Sequence, residues 1–88
     1  MRLDQYLQKT GIVKRRSLAK EICDRGLVEI GGRRAKAAHE VSPKDTLTVK
    51  FHDRRCTYIV LGIPQGNVRK GDRVEYVQLT NEERFHEE

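Results

Sequence analysis

Residues 15–32, Arg15-Arg16-Ser17-Leu18-Ala19-Lys20-Glu21-Ile22-Cys23-Asp24-Arg25-Gly26-Leu27-Val28-Glu29-Ile30-Gly31-Gly32, change their apolar period midway, and that change decides the fold. Over 15–25, Leu18, Ile22 and Cys23 recur at helical spacing, with Ala19 small enough for close packing. Gly26 stands where a helix would end in a left-handed residue. From Leu27 to Ile30 the pattern alternates as a strand, and Gly31-Gly32 supplies the two positive-φ positions of a tight hairpin. A helix running directly into a hairpin indicates an α+β fold.

Working outward, Leu3, Tyr6 and Leu7 share one face of a short helix over 2–9, closed by Thr10-Gly11. Ser42-Pro43-Lys44-Asp45 is a turn. Leu47, Val49 and Phe51 then alternate with Thr46, Thr48 and Lys50 as a strand. His52-Asp53-Arg54 is a polar break. Strands are expected at 56–61 and 74–79, separated by a loop over 62–72, with a short acidic tail from Thr80 onward. The reading is two N-terminal helices packed through Leu3, Leu7, Leu18 and Ile22 on a small, mostly antiparallel sheet.

The 88 residues suffice for one small core. No apolar run approaches the roughly 20 residues of a membrane span. With Cys23 and Cys56 as the only cysteines, a disulfide framework is not expected, and a reducing, cytoplasmic setting fits better. His39, His52 and His86 stand apart from any nucleophile pattern, and no glycine cluster forms a phosphate loop. His52 and Cys56 are four apart but lack a second ligand pair. The expectation is therefore no enzyme, no metal and no cofactor.

Charge is the informative feature. Residues 1–50 hold twelve Lys/Arg against six Asp/Glu, whereas 51–88 hold six against seven. A basic half joined to a near-neutral half is the footprint of a polyanion binder. Arg2, Arg15, Arg16, Lys20, Arg25, Arg33, Arg34 and Lys36 cluster around the two helices and the hairpin. The triplet Lys14-Arg15-Arg16 stands at a helix N-terminus, where the macrodipole disfavours cations, which points to an external anion. Arginine's planar fork suits phosphate. Few aromatics are free for base stacking, so folded RNA is the expected ligand over single strands. Asp4 is expected to pair with a nearby arginine or to cap the first helix.

These residues resemble a known family. Arg2-Leu3-Asp4 with Leu7, Arg16-Ser17 with Ala19, Gly26 through Gly32, Lys36 and Val41 are similar in order and spacing to the S-four RNA-binding domain, named for small-subunit ribosomal protein four. Gly31 replaces the usual Asn, and Pro43-Lys44-Asp45 stands where Gly-Asp is common. The resemblance covers about residues 1–51, with 52–88 as a short β extension and acidic tail. It implies RNA contacts at Arg2, Arg15, Arg16, Lys20, Arg33 and Lys36. Among stand-alone members, the chain is most similar to the RqcP type of ribosome-associated quality-control factor, related to heat-shock protein fifteen. That implies a monomer binding large-subunit rRNA and peptidyl-tRNA on stalled large subunits, alongside an RqcH-type factor, while C-terminal alanine tails are added. Alternatives are a rescue factor of the heat-shock-protein-fifteen type, an RNA-binding subunit of a tRNA- or rRNA-modifying system, and a protein–protein adaptor using the sheet face.

Overall fold

The computed structural model describes residues 1–85. Two helices lead the chain, α1 (Leu3–Lys9) and α2 (Arg16–Asp24). Five strands follow: β1 (Val28–Ile30), β2 (Arg33–Arg34), β3 (Thr46–Lys50), β4 (Arg54–Val60) and β5 (Val77–Arg84), with a 3-10 helix, Lys70–Glu75, before β5. They form one sheet in the order β2-β1-β3-β4-β5, antiparallel at every neighbouring pair. The α+β expectation holds.

The core lies between α1 and the sheet. Leu3, Tyr6 and Leu7 from α1 are fully buried against Val28, Leu47, Val49 and Val60, each such burial stabilising by roughly 1.5–3 kcal/mol. Tyr6 also donates its hydroxyl to the Tyr76 carbonyl at 2.7 Å, fastening α1 to the C-terminal half. α2 closes with the Gly26 N–H on the Cys23 carbonyl and the Leu27 N–H on the Ile22 carbonyl, at 3.0 and 2.9 Å. This double closure requires a left-handed residue, and Gly26 has φ +74°. Gly31 and Gly32, at φ +59° and +84°, turn β1 into β2 as expected.

Three expectations need correction. Leu18 is not core: it is 44% exposed. The buried stripe of α2 runs through Ala19 and Cys23, with Ile22 half-buried, because the small Ala19 seats the helix closely and this rotation turns Leu18 outward. Secondly, the last strand is not 74–79. Val74 lies in the 3-10 helix and is 73% exposed, while β5 starts at Val77 and runs to Arg84. Thirdly, Thr80-Asn81-Glu82-Glu83 is strand rather than tail. Seven-residue β4 would otherwise present a row of unpaired backbone groups, and Arg55 meets Glu83 across the pair at 2.8 Å. The part of the expected tail at 86–88 lies outside the described residues.

Phe51 follows the end of β3 and is half-buried, with the Arg54 guanidinium 4.6 Å from its ring centroid. Cys23 and Cys56 are buried free thiols.

Candidate nucleic-acid interface

Arg2, the N-cap residue of α1, gives the first turn no side-chain cap. Two of that turn's free N–H groups are met by backbone from the segment after β2, Leu3 donating to the His39 carbonyl at 2.8 Å and Asp4 to the Ala37 carbonyl at 3.1 Å, and the Gln5 N–H is met by the Asp4 carboxylate. Arg2 and Glu40 form a β-bridge. This capping segment alternates, Ala35 and Ala37 buried and Lys36 exposed. Lys36 is thereby delivered beside Arg2, although 34 positions separate them in sequence. Together with Lys20, Cys23, Asp24, Ala37 and Ala38 they line one groove.

Asp4 organises the arginines. Its carboxylate is only 3% exposed. It accepts Arg2 Nε at 3.1 Å, Arg2 Nη2 at 3.3 Å and the Gln5 N–H at 2.8 Å, and Arg16 Nε stands 3.6 Å away as an ion pair. Burial alone would push this carboxyl upward; the Arg2 hydrogen bond, the Gln5 N–H and the charges of Arg16 and Arg2 outweigh it, and the net shift is downward. The two guanidiniums, 46% and 51% exposed, keep further N–H groups free to face outward. Arg16 also has an internal anion answering it at the N-terminus of α2, where no acidic residue occupies the first turn. What results is a pair of forks held at one carboxylate, flanked by two ammonium groups, a form suited to the oxygens of phosphates. Burial first, then the charges of Asp4 and Asp24, push the thiol of Cys23 in the groove wall up to about 11, which disfavours its thiolate.

A model of the S4 domain matches residues 1–47. A Bacillus subtilis protein named RQC P-site tRNA stabilizing factor is 37% identical over 87 residues, 99% of this chain and 100% of its own. A Helicobacter pylori protein of the same name is 40% identical over 78 residues, covering 88% and 93%. The chain belongs to the S4-domain family, with the RQC P-site tRNA stabilizing factors. Among solved structures, the trimeric Heat Shock Protein 15 of Vibrio cholerae superposes with a TM-score of 0.82 at 28% identity, over 91% of this chain and 81% of that one.

The groove lies wholly inside the S4 match. Of the six residues expected there, Arg2, Lys20 and Lys36 line it, and Arg16 joins through Asp4. Arg15, the residue preceding α2, lines a neighbouring depression with Lys14, Ser17, Leu18 and Glu21. Arg33 opens β2 as an exposed side chain on the hairpin and does not line the groove. The six leave out Arg34, whose side chain lies over Gly26; a Cβ there would sit 3.1 Å from Arg34 Nε. The positive φ that Gly26 needs was readable, but the arginine resting on it was not.

Proposed function

We propose that the protein is a non-enzymatic RNA-binding factor of ribosome-associated quality control. On this reading it holds peptidyl-tRNA and large-subunit rRNA on stalled large subunits, as a monomer in the cytoplasm, while an RqcH-type factor supports C-terminal alanine tailing. Residues 1–51 act as the RNA-binding unit and 52–88 as its β extension. The observation that carries this is the Asp4 carboxylate with Arg2 and Arg16 on it, beside Lys20 and Lys36. Arg15, in the depression along α2, and Arg33, exposed on the hairpin, are further candidate contacts on this reading. The peptidyl-transfer chemistry belongs to the ribosome; the protein positions RNA. Among the described residues, no helix is long and apolar enough to cross a membrane. The match to the Bacillus subtilis RQC P-site tRNA stabilizing factor over 99% of this chain supports the quality-control reading.

The test is co-sedimentation with large subunits, with and without peptidyl-tRNA, at several salt concentrations. Wild type should bind more tightly when peptidyl-tRNA is present. Neutralising about four to six phosphates gives a log–log salt slope of roughly −3 to −5. Arg16→Ala removes a charge-assisted contact of about 1.5–3 kcal/mol and should weaken binding about tenfold or more. Asp4 keeps Arg2 and the Gln5 N–H in that variant, so the fold should persist. Recovery of free tRNA alone, or of protein partners without rRNA, overturns the reading.

A further inference from the structure

Beyond the Asp4-centred groove, the opposite end of α1 carries a second set of cations drawn from both halves of the chain. The α1–α2 connection supplies Lys14, and the 3-10 helix supplies Lys70 and Arg73. They line one cleft with Gln8, Gly11 and Val13. No carboxylate lines that cleft, and none of the three cations takes part in an ion pair among the described residues.

Arg73 is not a solvated surface arginine. Its guanidinium rests against Gly11, where any Cβ would collide with it, and Gly11 adopts φ +77°. Its Nε is buried and has no hydrogen-bond partner among the described residues. A buried donor left unmade is costly, and native proteins rarely leave one without a reason. A guanidinium pinned on a glycine, with two ammonium groups beside it and no internal anion, is arranged to receive an external one.

We propose that Lys14, Lys70 and Arg73 form a second phosphate-binding site, which grips the sugar–phosphate backbone of an RNA segment other than the one in the Asp4 groove. This rests on the RNA-binding reading above. RNA is favoured because Lys14 leads directly into Arg15 and Arg16, so the cleft continues the basic surface around α2. A planar, fixed arginine also matches two phosphate oxygens at once. The near-neutral charge of residues 51–88 conceals this site, because its Lys70 and Arg73 are offset in the count by acids of β5 that do not line the cleft.

The experiment compares wild type, Lys70→Ala and Lys14→Ala/Lys70→Ala, each as the full chain. Two probes are used: tRNA alone, and large subunits stripped of tRNA. Both lysines are exposed, so the outcome does not depend on whether an Arg73 variant folds. Each lost lysine should lower affinity roughly three- to tenfold and reduce the salt slope by about 0.7–0.9. The probe on which the loss appears identifies which RNA supplies the phosphate. Combined with Arg16→Ala, the fold-losses should multiply, as for independent sites. Unchanged affinity and slope for the double lysine variant on both probes, with Arg16→Ala still impaired, overturns the second site alone. Failure of wild type to bind either probe overturns the function on which it rests.

Discussion

Asp4→Asn should weaken RNA binding although it makes the protein more positive. The carboxylate accepts Arg2 at 3.1 and 3.3 Å and stands 3.6 Å from Arg16. Asparagine has nearly the same volume but no charge, and only one oxygen with which to accept. Charge-assisted bonds of this kind contribute about 1.5–3 kcal/mol. With both arginines about half exposed, solvent screening reduces that to about 1–2 kcal/mol. A small domain then melts lower by some 4–8 °C per kcal/mol. For binding, each unheld arginine adds about 0.5–1.5 kcal/mol of ordering cost, so two add about 1–3. Against this, deleting a negative charge roughly 6 Å from a phosphate gains about 0.7 kcal/mol in water, and less in salt. Orientation wins by about 0.3–2.3 kcal/mol, a loss of roughly two- to fiftyfold. Fluorescence anisotropy with labelled RNA at fixed salt, well below the melting temperature, measures it. Equal or tighter binding by the folded variant would refute the reasoning and make Asp4 a competitor for the arginines instead of their holder.

Two further perturbations test the frame around the site. Tyr6→Phe removes one of three donors to the Tyr76 carbonyl, the Leu61 and Gly62 N–H groups remaining at 2.8 and 3.2 Å; it should cost about 0.5–1.5 kcal/mol in denaturant unfolding while leaving the salt slope of RNA binding unchanged. The acid limb of stability should also report Asp4. Its folded value lies below the usual 3.8, so its contribution is fully present above that pH and fades as pH falls through the lowered value. Wild type should therefore lose stability more steeply than Asp4→Asn below about pH 4, as followed by melting against pH, and parallel curves would contradict it.

The helices and first hairpin were readable because their signals are local. Leu3, Tyr6 and Leu7 repeat at helical spacing, and Gly31-Gly32 fixes a turn through backbone sterics alone. β5 is not legible in the sequence because its period is interrupted: the ladder pairs Thr57 with Asn81 and Tyr58 with Leu79, which leaves Thr80 as an extra residue. Thr80 instead donates its hydroxyl to the Thr57 carbonyl at 3.1 Å. The 3-10 helix at Lys70–Glu75 puts no apolar side chain into the core, Val74 being exposed, so it has no apolar repeat to reveal it. Within the site, the cationic residue types were legible and their meeting was not. Lys36 reaches Arg2 because carbonyls of Ala37 and His39 close the end of α1, a backbone event without a side-chain signature. Asp4 is expected to pair with an arginine or to cap α1, and it does both: it meets two arginines and accepts the Gln5 N–H in the first turn.

The strand order bears on how freely this RNA-binding unit could be moved between proteins. β3 lies in the middle of the sheet, between β1 and β4, and the polar turn at His52-Asp53 merely links it to β4. A fragment cut after Phe51 would keep every residue of the groove but strip one side of β3 of its partner. It would also lose Val60, which is buried against Leu47 and Val49 within the core cluster. Such a fragment would offer an open strand edge to the next copy of itself and would tend to associate. A graft of this recognition surface onto another protein must therefore carry a β4 equivalent with it, and the transferable module is larger than the stretch of sequence by which the family is recognised.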